Sequence, residues 1–249
     1  MSYEHKDMIK IKSVDSTNNF AKELLVLQTK VPDFFCISTE YQTRGKGQKG
    51  NTWESEPSKN LLFSIIVSPN FLKPINQFYL SMAVSLGIKE YLETYVDNVT
   101  IKWPNDIYVA SKKICGILIE NTIADDELKH SIIGIGLNVN QKLFSEDLPN
   151  PTSLYNENPI TYDLDVELKN VLSHISEYFE RIKKFQYHDI LTSYNDCLYL
   201  KDINSKFKDK HGIFRGIISK VEESGALIVK KCDDLTENVY LFKEIEFLI

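Results

Sequence analysis

Two kinds of sequence pattern divide this chain, and the point where one replaces the other limits the folds that it can adopt. Up to about residue 190, apolar runs of strand length alternate with segments whose apolar residues recur at helical spacing. After Leu200 only short strand-like runs and turn-like breaks follow. We therefore predict an α/β or α+β domain over residues 1–200 and a small SH3-like β-barrel over residues 201–249.

The first region contains several runs with the length and composition of buried strands. Strands are predicted at Phe34–Ser38, Leu61–Val67, Val99–Trp103, Ile114–Glu120 and Ser131–Val139. Helices are predicted where Pro74 can open one and where Asp163 or Asp165 can cap another.

Composition and charge exclude several classes of protein. The net charge of −6 argues against wholesale nucleic-acid binding. The first twelve residues lack the apolar core of a signal peptide, and the longest strongly apolar stretch is too short to span a bilayer. The four cysteines lie far apart without a CxxC pair, which indicates neither a zinc site nor a disulfide framework. We expect a cytoplasmic protein with reduced thiols and no DNA or membrane partner.

Glycine and tryptophan are concentrated in three segments. The chain has only 10 glycines and 2 tryptophans, and six of the glycines and both tryptophans fall there. The first segment, Glu40–Trp53, interleaves glycines with cations. Its backbone can approach a ligand closely, its N–H groups can form an anion nest, and Trp53 offers a flat face to a planar group. A solvated basic hairpin loop would have the same composition.

The second segment is Lys102–Asp106, with the sequence KWPND, followed by the run Lys112–Glu120. Pro104 stops a strand because it has no N–H for the ladder, and the Asn-Asp pair after it can simply cap a turn. The functional alternative is that Lys102 and Lys113, on neighbouring strands, point into one cleft at an anionic substrate. Lone lysines are more often solvated surface charges.

The third segment is Gly134–Asn140, with the sequence GIGLNVN. Glycines weaken an apolar strand unless a ligand or another backbone approaches closely, although a β-bulge would explain the same residues. A fourth candidate is Ser16-Thr17-Asn18, which on its own is more typical of a helix cap.

The order of these motifs resembles the biotin protein ligase family. The matching features are Ser16-Thr17-Asn18, the glycine-rich basic loop ending at Trp53, KWPND, Lys113-x-x-Gly-Ile-Leu-x-Glu120, Gly134-x-Gly-x-Asn138 and Thr152-Ser-Leu154. The resemblance covers nearly the whole chain and implies a mixed α/β catalytic domain with an SH3-like C-terminal domain. The helix-turn-helix found at the N-terminus of repressor-type members has no counterpart here, so we expect a monofunctional type without DNA binding.

The resemblance also implies a set of site residues. Those implied to bind biotin are Ser16, Thr17, Gln42, Gly45, Lys46, Lys113, Gly116, Gly134 and Gly136. Those implied to bind ATP or the adenylate are Lys46, Gly47, Trp53, Lys113 and Asn138. The candidate catalytic residues are Lys113, Lys46, Lys102 and Asp106, and no metal ligand is assigned.

The implied reaction has two steps. Biotin and ATP, with Mg²⁺ on the phosphates, form biotinyl-5′-AMP, and cations must offset the repulsion between the reacting anions. A lysine of a biotin carboxyl carrier domain then attacks as the free amine, with Asp106 a candidate for orienting or deprotonating it. The resemblance leaves a monomer and a homodimer open.

The loop departs from the family pattern at three positions, and other functions compete with this one. Lys46, Gln48 and Asn51 stand where relatives commonly have arginine, so a bidentate donor and two charges are missing. A lipoate-protein ligase or octanoyltransferase would share the related catalytic domain. A non-catalytic biotin sensor and a nucleic-acid-binding module are the alternatives from other classes, and the acidic net charge argues against the latter.

Overall fold

A seven-stranded mixed sheet forms the centre of the computed structural model, which describes residues 8–27 and 30–248. Its strands are β1 (Met8–Ile11), β2 (Phe35–Thr39), β3 (Leu61–Val67), β4 (Val99–Lys102), β5 (Asp106–Val109), β6 (Lys112–Ala124) and β7 (Glu127–Leu137). They lie in the order β1-β2-β3-β7-β6-β5-β4, and within the described residues β1 pairs with β2 in parallel while the other neighbouring strands are antiparallel. The predicted mixture of strands and helices is confirmed, and β1 and β5 are strands that the sequence patterns did not predict.

Helices cover the two faces of this sheet unequally. The helices are α1 (Thr17–Leu27), α2 (Phe78–Glu93), α3 (Leu154–Glu157), α4 (Leu164–Lys183) and α5 (Tyr187–Asp196). On one face α1 packs Ala21 and Leu24 against Ile66 and Ile132. On the other face α2 and α4 bury the larger core, which includes Phe63. The face that carries α1 is therefore the more open one.

The predicted helix starts can be compared directly with the structure. Asp163 caps α4, since its side chain accepts hydrogen bonds from the backbone N–H groups of Asp165 and Val166. Pro74 opens a single 3₁₀ turn, and α2 itself begins four residues later at Phe78. The predicted cap at Asp163 is confirmed, and the predicted helix starts later than expected.

The C-terminal residues form a second, five-stranded antiparallel sheet that fits the predicted SH3-like domain. Its strands are β8 (Ser205–Asp209), β9 (Gly212–Val221), β10 (Leu227–Lys231), β11 (Glu237–Tyr240) and β12 (Glu246–Phe247), in the order β11-β10-β9-β8-β12. Before entering it, the chain runs beside β4, where the N–H of Tyr199 donates to the carbonyl of Ile101 at 2.9 Å. The domain boundary near Lys201 stays a prediction.

The two sheets share one continuous hydrophobic core, and one tryptophan joins them. Trp103 is buried, and its indole N–H donates to the carbonyl of Gly225 at 2.9 Å. Phe207 and Val229 of the small barrel belong to the same core as the residues under α2 and α4. Over the described residues, no helix combines the length and apolarity needed to cross a membrane.

Candidate functional site

Four of the predicted site residues lie in one row across the main sheet. Lys102 pairs with Asp106, Asp106 with Gly116, and Gly116 with Gly136 in the registers of β4, β5, β6 and β7. Because directly opposed residues of antiparallel strands point to the same face, the two charged side chains and the two glycines share one surface. The strand ladder thus brings together residues that are up to 34 positions apart in the sequence.

A β-bulge adds Lys113 to this surface. Ile107 pairs with Cys115 and Tyr108 with Lys113, so Ile114 is the extra residue on β6. A bulge re-aims the side chains on one side of it, and here it lets Lys113 and Gly116 share a face. The Lys113 Nζ atom lies 2.8 Å from Asp106 Oδ1. The functional alternative for Lys102 and Lys113 placed them on neighbouring strands. That is wrong, because β5 lies between them.

Trp53 lies flat against the glycine row. A Cβ atom added to Gly136 would stand 2.4 Å from the ring atom Cε2, and one added to Gly116 would stand 2.9 Å from Cζ3. A Cβ atom does not fit at either distance, so the position of the Trp53 ring explains why both residues are glycine. The alternative of a β-bulge in β7 is wrong, because the pairings of Ser131–Leu137 run without a register shift. The Lys113 amine lies 5.6 Å from the centre of the same ring.

A buried polar cluster forms one end of the site, where α1 begins. The N–H of Thr17 donates to Gln42 Oε1 at 2.8 Å, and the Thr17 hydroxyl lies 3.2 Å from the same oxygen. Ser64 Oγ lies 2.7 Å from both the Thr17 hydroxyl and Asn18 Oδ1. Asn18 fills the space over Gly134, and Ser16 is buried as well. The Ser-Thr-Asn motif is therefore part of a buried, hydrogen-bonded polar cluster.

Ser64 belongs to this cluster although no motif identified it. It is the single polar residue in the otherwise apolar run Leu61–Val67, and its side chain is fully buried. A lone hydroxyl in the middle of a buried strand needs a hydrogen-bond partner, which is a signal that the sequence does contain.

Backbone hydrogen bonds within the basic loop set its shape, and a side-chain bond from Lys46 joins it to α1. The N–H of Trp53 donates to the carbonyl of Gly45 at 3.0 Å, and the N–H of Gly47 donates to the carbonyl of Asn51 at 2.8 Å. The exposed Lys46 amine donates to Asn19 Oδ1 on α1. Lys46 therefore lies at the mouth of the polar cluster.

Asn19 also binds a carboxylate next to the loop. Its Nδ2 lies 2.5 Å from Asp15 Oδ2, and this hydrogen bond is the main reason why the pKa of Asp15 is lowered. Arg44 adds to the effect, with its guanidinium 3.9 Å from the same oxygen. No sequence motif pointed to Asn19.

Two polar atoms of the residues predicted to bind the adenylate are buried without a hydrogen-bond partner in the described part of the chain. One is Asn138 Oδ1, whose neighbouring Nδ2 donates to the carbonyl of Thr152 at 2.9 Å. The other is the indole N–H of Trp53. A buried polar atom without a partner is costly, so both are places where a ligand would restore a bond. Gln48 Oε1 is a third such atom, in the basic loop.

Lys102 stands at the far end of the row, in aromatic surroundings. Its amine donates to the hydroxyl of Tyr108 at 3.0 Å and lies 5.3 Å from the ring centre of Phe247 in the C-terminal barrel. Burial lowers the pKa of Lys102, Asp106 opposes that shift, and the charge of Lys113 adds to it. Over residues 8–27 and 30–248, no group of three or more His, Cys, Asp or Glu side chains is placed to hold a metal ion.

Comparison with known proteins identifies relatives of this chain. The model of the Biotin/lipoate A/B protein ligase family matches residues 10–138, which is more than half of the chain. The Bacillus spizizenii "Bifunctional ligase/repressor BirA" is 29% identical over 233 residues, covering 87% of this chain and 67% of that protein. The Escherichia coli protein of the same name is 32% identical over 138 residues, covering 55% of this chain and 42% of that protein.

Solved structures show the same relationship over nearly the full length. The Aquifex aeolicus biotin protein ligase in complex with biotin and ATP superimposes with a TM-score of 0.81 at 27% identity, covering 97% of this chain and 98% of that one. The Leishmania major biotin protein ligase in complex with biotinyl-5-AMP is 22% identical, with a TM-score of 0.65, and shares the fold.

Proposed function

This chain belongs to the biotin/lipoate A/B protein ligase family, and we propose that it is a biotin protein ligase that attaches biotin, through biotinyl-5′-AMP, to a lysine of a biotin carboxyl carrier domain. The observation that carries the proposal is the Lys113–Asp106 pair, 2.8 Å apart, beside a floor made of Gly116 and Gly136. This arrangement offers a cation that can bind two anions at once, a carboxylate for the incoming amine, and a floor without side chains against which the Trp53 ring now lies.

The first step joins two negatively charged groups. A carboxylate oxygen of biotin attacks the α-phosphorus of ATP, a P–O bond to the β-phosphate breaks, and pyrophosphate leaves. Lys113 lies where it can bind both the carboxylate and the α-phosphate, and Lys46 and Lys102 add positive charge at either end of the site. Mg²⁺ would enter as its ATP complex, held by phosphate oxygens and water, which does not require the protein to supply a cluster of ligands.

The adenine would lie near Asn138 and Trp53. Because Asn138 Nδ2 is already bonded to Thr152, the side chain presents its oxygen, which can accept a hydrogen bond from an amino group such as that of adenine. Trp53 offers an aromatic face to the base. The unpartnered acceptor supports a nucleotide whose base carries an amino group.

The biotin head would bind at the polar cluster. Thr17 and Gln42 carry donors and acceptors suited to a cyclic urea, and they lie at the end of the glycine floor. The Trp53 ring lies over Gly116 and Gly136 in this structure, so a substrate chain crossing the floor requires the ring to shift. Shielding of the mixed anhydride from water would fall to the basic loop.

The second step needs a neutral amine at the anhydride carbonyl. Asp106 would accept a proton or a hydrogen bond from the incoming lysine, and the amine of Lys113, 2.8 Å from the Asp106 carboxylate, would lie beside the reacting groups. The amine nitrogen forms the amide bond, and AMP leaves with the former anhydride oxygen. A cytoplasmic location fits this reaction and the four free cysteines.

Pyrophosphate release tests the proposal and separates it from its nearest alternative. With ATP and Mg²⁺, biotin should stimulate release while lipoate and octanoate should not. Stimulation by lipoate in preference to biotin would replace this function with that of a lipoate ligase. Binding of biotin without any pyrophosphate release would indicate a sensor.

A further inference from the structure

The Lys102 amine is held in place by aromatic rings and not by a carboxylate. Its Nζ atom is 3.0 Å from the Tyr108 hydroxyl, 4.9 Å from the Tyr108 ring centre and 5.3 Å from that of Phe247. Among the described residues, the carboxylate of Asp106 forms its ion pair with Lys113 and not with Lys102. A partly buried cation without an ion-pair partner is costly, and such groups mark places where an anion binds.

Phe247 reaches Lys102 from the C-terminal barrel. It lies in the two-residue strand β12 and pairs with Phe207 of β8, whose side chain is fully buried. The two rings meet edge to face, with centres 5.2 Å apart. The position of the Phe247 ring is therefore set by the barrel core, although its face is turned toward a residue of the main sheet.

The opposite wall of this niche belongs to the main sheet. Tyr108 lies on β5, and its ring packs against that of Tyr199 with centres 5.0 Å apart. Tyr199 is part of the segment that runs along β4 just before the barrel. Lys102 thus stands between a ring fixed by the main sheet and a ring fixed by the barrel, and only Phe247 depends on how the barrel is docked.

We propose that Phe247 is a positioning residue, whose ring fixes the Lys102 amine in line with Asp106 and Lys113 for the adenylation step. The proposal rests on the biotin ligase function above and gives the barrel a defined part in it. A cation over an aromatic face is attracted by the ring, and this attraction holds the amine without neutralising its charge. The free charge remains available to the phosphates of ATP.

Kinetics of pyrophosphate release test this role through a double-mutant cycle. Phe247→Ala should raise KM for ATP or lower kcat so that kcat/KM for ATP falls about tenfold, the size of a partly desolvated cation–π contact. KM for biotin should stay unchanged. In a Lys102→Ala background, Phe247→Ala should have almost no further effect, because the group that it positions is gone.

Matched variants separate positioning from loosening of the barrel. Phe214 also packs against Phe207, with ring centres 5.8 Å apart, and contacts Lys231 instead of Lys102. Phe214→Ala should therefore lower the melting temperature about as much as Phe247→Ala without changing KM for ATP. Phe247→Tyr should keep wild-type kinetics, whereas Phe247→Leu, which keeps bulk without a ring face, should lose about as much as alanine.

The outcomes distinguish this inference from the proposed function itself. Failure of the wild-type protein to release pyrophosphate with biotin would remove the ligase function and this proposal with it. If the wild type is active but the losses in kcat/KM caused by Phe247→Ala and Lys102→Ala multiply in the double variant, the positioning role alone is overturned. Full activity of Phe247→Leu would overturn it as well. Coupled effects with rescue by tyrosine would establish it.

Discussion

The candidate site has a half carried by strands and a half carried by a loop, and the two are held differently. The strand half consists of Lys102, Asp106, Lys113, Gly116 and Gly136, fixed by the ladder hydrogen bonds of β4 to β7. The loop half consists of residues 44–53, which a few separate hydrogen bonds pin to their surroundings. Register fixes the first half cooperatively, whereas each bond of the second can be lost alone.

The difference has a consequence for chemistry. A reaction that creates charge needs preorganised groups, and these are provided more accurately by strands than by loops. A reactive intermediate needs a cover that can open, and low local stability suits a loop for that task. We therefore expect substitutions in the strand half to affect the rate of adenylation and those in the loop half to affect retention of the adenylate.

Lys113→Ala should have the largest effect. Loss of the cation between the two reacting anions should slow biotin-dependent pyrophosphate release by about 100- to 1000-fold, as removal of one preorganised donor does elsewhere. Circular dichroism and the melting temperature should show that the fold survives.

Lys112 provides the matched control for that experiment. It is the neighbouring lysine, is exposed, and pairs with Glu157 at 3.5 Å instead of Asp106. Lys112→Ala should keep the wild-type rate. Similar losses in both variants would mean that the bulge does not select Lys113 for the site.

Gly136→Ala should have the second largest effect, and it tests whether the Trp53 ring excludes a side chain at this position. The added Cβ would stand 2.4 Å from the Trp53 ring, so the ring must leave, and the unfolding free energy should drop by about 1–3 kcal/mol. In a Trp53→Ala background the same change should cost much less. Equal costs in both backgrounds, measured by urea denaturation, would show that the ring is not what excludes a side chain there.

Asn19→Ala should have a smaller effect, confined to the loop half. It removes the partner of Lys46, and we expect biotinyl-adenylate to dissociate about tenfold faster, as for one charge-assisted hydrogen bond. The rate of adenylation should change little. Glu23→Ala, an exposed change on the same helix, is the control. Slower dissociation in Asn19→Ala would mean that Asn19 holds Lys46 away from the adenylate.

Substitutions of Gln48 should have the smallest effect. Its side-chain oxygen is buried and lacks a partner in the described structure, which argues against a purely solvated position. Gln48→Ala should weaken retention of the adenylate by about 1 kcal/mol, the usual net contribution of one hydrogen bond. Gln48→Arg should slow its release and increase the salt dependence of binding. Equal dissociation rates in all three proteins would leave this position without a role.

The sequence predicted elements best where a single physical signal was strong. The run Leu61–Val67 is a strand with those bounds, because a seven-residue, mostly apolar run is too short for a typical buried helix and suits a strand buried on both faces. β1 and β5 were missed because four-residue strands with charged or polar members carry little periodic signal. The missing β5 is also why Lys102 and Lys113 were expected on neighbouring strands.

The site residues divide in the same way. Motif order pointed to the glycine row, Lys113 and Asp106, but the bulge at Ile114 that brings Lys113 to the glycine face depends on strand pairing. Asn19 and Phe247 carry no local signal, because their partners, Lys46 and Lys102, are distant in the sequence. Contacts of this kind follow from the packing of the whole chain.

One measurement tests the central claim, which is ligation of biotin to a carrier, most directly. The protein is incubated with biotin, ATP, Mg²⁺ and a biotin carboxyl carrier domain, and the intact mass of the carrier is recorded. We predict the addition of one biotinyl group, lost when ATP is omitted or when the acceptor lysine is replaced by arginine. An unchanged carrier mass, with the same carrier preparation labelled by an established biotin protein ligase, would contradict the account.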